Sequence, residues 1–219
     1  MARVKTAVLI SGRGSNMQAL IDAAADPGYP AEIVRVISNA PGAGGLERAA
    51  DAGIATAAIY HRDFDGRGPF EDALHAELTA AGVELVCLAG FMRLLTAEFV
   101  ERWYDRMINI HPSLLPSYKG LHTHERVLED GVRFTGCTVH FVRPAMDAGP
   151  IIVQAAVPVL PGDDADTLAA RVLTAEHRCY PHALGLVAAG RTSIVDENVI
   201  IDGAAGPAGI TLNPDDGVS

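Results

Sequence analysis

The sequence predicts an α/β fold: one domain with a mostly parallel central sheet and an antiparallel extension in its C-terminal half. Three observations carry that prediction. Short apolar runs alternate with helical patterns through the first 110 residues, which is the signature of parallel βαβ units. Two strand patterns then follow one another across a polar turn. Finally, 219 residues with 49% hydrophobic content suffice for a sizeable core.

In chain order, Lys5–Ile10 is a buried strand, followed by Ser-Gly-Arg-Gly and a helical pattern over Ser15–Ala25. Glu32–Ile37 reads as a strand, Gly45–Ala52 as a short helix, Ile54–Ile59 as a strand and Phe70–Ala80 as a helix. Val83–Leu88 and Met107–Ile110 are strands on either side of a helix over Thr96–Arg102. Arg133–Val142 and Ile151–Val159 form the expected antiparallel pair. Asp164–Gly190 is helical, with Asp163 or Asp164 as N-cap and Pro181 marking a break or kink. Residues 191–219 are rich in Gly, Pro and Asp and read as a small hairpin with a loose tail, which leaves residues 1–190 as the working domain. No internal repeat and no long linker divides the chain.

The formal net charge of −10, with 17 Lys plus Arg against 27 Asp plus Glu, argues against a protein that coats nucleic acid, because phosphate neutralisation needs a basic face. Disorder is excluded by the apolar content. No apolar stretch approaches the ~20 residues that span a bilayer, and Ala7–Ile10 is too short for a signal peptide. Three cysteines without a CxxC suit a reducing compartment. A cytoplasmic protein is expected.

Three segments carry chemistry. The loop Ile10-Ser-Gly-Arg-Gly-Ser-Asn16 joins a buried strand to a helix, so its N–H groups can face an anion. Ser15 and Gln18 have capping-box spacing. Met17 replaces the third glycine of the dinucleotide fingerprint and no Walker lysine follows, which leaves a single phosphate as the expected ligand. A glycine-rich turn that binds nothing has the same spacing. At the end of Met107–Ile110, Asn109 and His111 are two apart and share a strand face. An amide there can donate to an oxyanion while an imidazole moves a proton, although a capped strand end reads the same way. Asp147, in the turn Ala145-Met-Asp-Ala-Gly-Pro150, would favour the charged form of a nearby His if the fold brought it to His111.

The same segments, together with Ser38-Asn39, Leu88-Ala-Gly-Phe-Met-Arg93, Asn109-Ile-His-Pro-Ser-Leu-Leu-Pro116, Gly120-Leu-His-Thr-His124, Val139-His-Phe141 and Glu176-His177, occur in one order from about residue 5 to residue 190. In this the sequence resembles the phosphoribosylglycinamide formyltransferase family, folate-dependent enzymes of purine synthesis with a single Rossmann-like formyltransferase domain. The resemblance implies Asn109, His111 and Asp147 as the catalytic trio. It implies Gly14, Ser15, Asn16 and Glu176 for the ribonucleotide, and Arg67, Met92, Arg93, Leu94, Leu95 and Asn109 for the folate. Residues Pro144 to Gly149 correspond to the folate-binding loop. The substrates implied are 5-phosphoribosylglycinamide and 10-formyltetrahydrofolate, with no metal, no nucleic-acid or membrane partner, and a monomer or homodimer as the working state.

Competing readings have their own markers. A metal hydrolase could draw on His111, His122, His124, His140 and Asp147. A non-catalytic nucleotide-binding module would leave Asn109 and His111 idle. A formyltetrahydrofolate hydrolase is expected to carry an additional N-terminal domain and a tRNA-directed formyltransferase a basic C-terminal one; the sequence suggests neither. Cys87 and Cys137 are expected in the core, Cys179 without a role, His61 and His75 at the surface, Trp103 as a packing anchor, Pro116 as a candidate cis residue, and His140, with His122 or His124, as support for the catalytic centre.

Overall fold

The computed structural model describes residues 2–203, 206 and 211–213. Five parallel strands run through the first half: β1 (Val4–Ile10), β2 (Ala31–Ser38), β3 (Thr56–Ala58), β4 (Leu85–Leu88) and β5 (Met107–His111). β6 (Phe134–Phe141) and β7 (Ile151–Pro158) add antiparallel to β5, which gives the seven-stranded order β3-β2-β1-β4-β5-β6-β7. The helices are α1 (Ser15–Ala24), α2 (Gly45–Asp51), α3 (Arg67–Ala80), α4 (Ala97–Arg102), α5 (Thr123–Glu129) and α6 (Ala165–Ala188). A separate hairpin, β8 (Thr192–Val195) with β9 (Asn198–Ile201), follows α6. Much of the expected loose tail lies outside the described residues.

Alternation along the strands explains why the sheet has two cores. Val8 and Ile10 of β1, Cys87 of β4, and Ile108 and Ile110 of β5 join the cluster packed by α1, α2 and α6. Ala7, Leu9, Val86, Leu88 and Met107 project to the other face, under α3 and α4. Tyr180 of α6 is fully buried, and its hydroxyl donates to the carbonyls of Leu88 and Ile108, 2.9 and 3.1 Å away. That bond ties α6 to β4 and β5, the two strands whose carboxyl ends open into the site. Trp103, Cys87, Cys137 and Cys179 are buried.

Several local expectations differ from what the structure shows. β3 begins at Thr56 rather than Ile54, because the Ile54 N–H closes α2 on the Ala49 carbonyl at 2.9 Å. α3 begins at Arg67 rather than Phe70: Pro69 sits in the first turn, where a missing N–H removes no helical bond. α6 runs unbroken through Pro181, capped by the Asp164 side chain accepting from Thr167 N–H. α5 had no counterpart in the sequence reading. His61 is half-buried rather than at the surface, its Nδ1 3.0 Å from the Asn39 carbonyl.

Candidate active site

The loop after β1 ends in Gly14, whose φ of 72° places it in the left-handed region open to glycine. A Cβ there would sit 3.0 Å from Met17 Cε and 3.1 Å from Gly45 Cα. Met17, buried in the core, thus packs where the dinucleotide fingerprint has its third glycine. The expected capping box does not form. Gly14 is itself the N-cap, Ser15 becomes the first helical residue, and the Gln18 amide instead donates to Asp22 at 2.8 Å. No side chain caps α1, so its first N–H groups remain available to an anion. A cleft of about 250 Å³ opens here, lined by Ser11–Asn16 together with Ala89, Gly90 and Met92.

Two contacts join this loop to distant parts of the chain. The Asn16 amide donates to Glu176 Oε2 at 2.7 Å, bringing together two expected ribonucleotide residues that are 160 apart in sequence. Burial pushes the Glu176 carboxyl above its usual range, with the Asn16 bond pulling the other way. Ser11 Oγ donates to Asn39 Oδ1 at 2.6 Å and accepts the Met92 N–H at 2.8 Å, so one hydroxyl joins the loop after β1 to the loop after β4. That second loop exposes Met92 (71%) and Leu94 (55%), with Leu95 half-buried. Arg93 lies over the Phe70 ring of α3 at 5.5 Å. Arg67 stands exposed at the start of α3, one turn before Phe70.

The second group gathers at the end of β5. Register pairs Asn109 with Leu88 on one side, next to Ala89 of the cleft, and with His140 of β6 on the other. Directly opposed antiparallel residues share a sheet face, which is why Asn109 and His140 meet. The His140 Nδ1 is 2.9 Å from the Phe141 carbonyl, which can only accept, so Nδ1 carries the proton. Nε2 is then bare and accepts the Asn109 amide at 3.2 Å. Burial lowers the His140 pKa, with the Phe141 carbonyl and Asp147 opposing, in keeping with a neutral ring. The contact fixes which way the Asn109 amide faces and leaves its second N–H to point elsewhere.

His111 is buried, 6% exposed, with an acceptor at each ring nitrogen. Nε2 donates to the Tyr118 carbonyl at 2.9 Å, and Nδ1 lies 3.5 Å from Asp147 Oδ2. Asp147 Oδ2 also accepts the Gly120 N–H at 2.9 Å, while its Oδ1 is 4.0 Å from His140 Nε2. Asn109, His111 and Asp147 therefore converge, with His140 as a fourth member. Sequence reasoning missed the backbone of Tyr118 and Gly120, whose contributions leave no side-chain signal. The Pro112–Tyr118 loop is braced from below: Thr138 Oγ1 accepts from Leu115 N–H and donates to Ser113 O, and Gln154 donates to Leu115 O. Its Leu115–Pro116 bond is cis. His122 faces Glu125 in solvent and His124 is half-buried; among the described residues no group of three or more His, Cys, Asp or Glu is arranged to hold a metal ion.

Residues 4–184 match the formyl transferase family model. The chain is 46% identical over 196 residues to phosphoribosylglycinamide formyltransferase of Escherichia coli, covering 90% of this chain and 92% of that one. It is 55% identical over 197 residues to the trifunctional purine biosynthetic protein adenosine-3 of Drosophila pseudoobscura pseudoobscura, but spans only 14% of that protein's length. The crystal structure of glycinamide ribonucleotide transformylase 1 from Symbiobacterium toebii superposes with a TM-score of 0.89 at 46% identity, covering 91% of this chain and 94% of that one.

Proposed function

The chain belongs to the phosphoribosylglycinamide formyltransferase family, and on that premise we propose that it moves the formyl group of 10-formyltetrahydrofolate onto the amine of 5-phosphoribosylglycinamide. The observation that carries this reading is the convergence of Asn109, His111 and Asp147 at a strand end that borders a cleft whose other wall is the uncapped start of α1. A phosphate belongs at the helix start and the reacting carbon beside Asn109. The exposed apolar pair Met92 and Leu94 offers a surface to the flat ring system of the folate, with Arg93 between them in sequence and Arg67 as the other arginine assigned to the folate.

The amine nitrogen attacks the formyl carbon, and the carbonyl oxygen becomes an oxyanion in a tetrahedral intermediate. The free N–H of Asn109, its partner N–H held by His140, is aimed to donate to that oxygen. His111 has Nε2 committed to Tyr118 and Nδ1 turned to Asp147, so donation from Nδ1 to the oxyanion requires that oxygen to take the place of Asp147 on Nδ1. Both ring nitrogens face acceptors, an arrangement that accommodates an imidazolium, with the Asp147 carboxylate 3.5 Å away to balance it. As the carbon–nitrogen bond to folate breaks, the leaving nitrogen takes up a proton and the attacking amine gives one up, with Asp147 the acceptor within reach. Donors fixed before the charge appears need no reorganisation when it does, which is what makes them effective.

The test mixes the protein with glycinamide ribonucleotide and 10-formyltetrahydrofolate and follows loss of the formyl-folate by absorbance. Turnover that requires the ribonucleotide is the expected result. Turnover without it would indicate a hydrolase, and no turnover by folded protein would overturn the proposal.

A further inference from the structure

The segment that carries Asp147 is weakly held by its own residues. Pro144, Ala145, Met146 and Ala148 are exposed, and Asp147 itself has a φ of 49°, a conformation that side chains disfavour. The far end is fixed, because Gly149 packs so closely on the Phe141 carbonyl that a Cβ would collide with it. The near end is fixed by Arg143, whose side chain is only 8% exposed although its partners are surface residues.

Three side chains converge on that guanidinium. Glu197 takes Nε at 2.7 Å and Nη2 at 3.2 Å, Asp105 takes Nη2 at 2.8 Å, and the Tyr104 ring lies 4.0 Å beneath. The Tyr104 hydroxyl in turn donates to Glu197 at 3.2 Å. Both acidic partners occupy the left-handed region, Asp105 at φ 56° and Glu197 at φ 57°. Glu197 is the second residue of the two-residue turn between β8 and β9, a position whose geometry suits glycine. A glutamate held there against its preference, and aimed at a fork already shared with a second strained acid, points to a role beyond closing the hairpin.

We infer that the β8–β9 hairpin is a strut: through Glu197 it locks Arg143 and so positions the loop that presents Asp147 to His111. Glu197 and Arg143 are positioning residues that act through Asp147, and the inference rests on the reading of Asp147 as part of the reacting cluster. Ile194, Val199 and Ile201 pack the hairpin against the main core, which gives the strut a rigid footing.

Glu197→Gly separates this role from a structural one, because it removes the carboxylate while giving the turn its preferred residue. The expected result is a thermal midpoint equal to or above that of the parent and a kcat lower on the order of tenfold, with the KM for the ribonucleotide nearly unchanged because its loop lies elsewhere. Glu197→Gln, which keeps one acceptor, should fall between the two. In a double-mutant cycle, Arg143→Ala with Glu197→Gly should be no slower than Arg143→Ala alone. A Glu197→Gly variant with the parent's kcat would overturn the strut. Hydrogen exchange over residues 145–148 judges it without activity: faster exchange in Glu197→Gly supports it and equal exchange overturns it. If the parent shows no turnover, the functional reading fails while this measurement still decides the strut.

Discussion

The two ends of the site are built from different materials. The loop at residues 11–16 is a backbone device, whose working groups are the unpaired amides of α1 and whose side chains matter mainly by being small, as at Gly14. The cluster at the end of β5 is a side-chain device. Each member is oriented by another: Asn109 by His140, His111 by Tyr118 and Asp147, and Asp147 by Gly120. In the proposed reaction the first would recognise a charge already present in a substrate, and the second would meet a charge that exists only during reaction. Ground-state recognition tolerates a local and repetitive solution. Transition-state recognition needs several groups fixed together, which one loop cannot supply.

The sharpest way to break this division is to remove one reacting side chain. Asn109→Ala should lower kcat by about 10²-fold, on the order of 3 kcal/mol, as loss of an oxyanion donor does. His111→Ala should lower it at least as far. In both variants the ribonucleotide should bind about as tightly as in the parent, measured by calorimetry. Equal loss of affinity would mean that the two ends are one device. A pair of glycine variants probes the other end. Gly14→Ala puts a Cβ at positive φ against Met17 and Gly45, so stability should fall by about 1–2 kcal/mol and the KM for the ribonucleotide rise more than kcat falls. Gly12→Ala meets nothing within 4 Å and should leave the thermal midpoint close to the parent's.

The same division explains what the sequence could reveal. The parallel sheet was legible because alternation and short apolar runs are local, and the first loop because its glycines stand together between a strand and a helix. The start of α1 was misread: Ser15 and Gln18 have the spacing of a cap, but a left-handed Gly14 ends the loop one residue earlier and makes Ser15 helical. Asn109 and His111 could be paired by strand periodicity. Asp147 could not be placed beside them, since the contact depends on a loop returning across β6. His140 could be offered only as support, because its place opposite Asn109 depends on an antiparallel register. Tyr118 and Gly120 act through backbone atoms, on which side-chain identity is silent. Arg143 and Glu197 meet across 54 residues, and neither stands in a motif.

Glu176 links α6 to the first turn of α1, and a modest predicted change in affinity tests whether it belongs to the backbone device. Its side chain comes from α6, yet its hydrogen bond goes to Asn16 in the first turn of α1. Burial raises its pKa above the ordinary 4.5, so the folded state holds the proton more tightly than the unfolded chain does. The stability this gives is full below about pH 4.5 and is lost as pH rises through the folded value. Glu176→Gln has no charge to bury. Its thermal midpoint should therefore equal or exceed the parent's at neutral pH, with the advantage disappearing in acid. Ribonucleotide binding should weaken by about fivefold, or about 1 kcal/mol, as an amide replaces a carboxylate acceptor. Opposite movements of stability and affinity would mark Glu176 as a ligand group kept at a cost to the fold. A variant less stable at neutral pH and unchanged in affinity would instead make it a structural partner of Asn16.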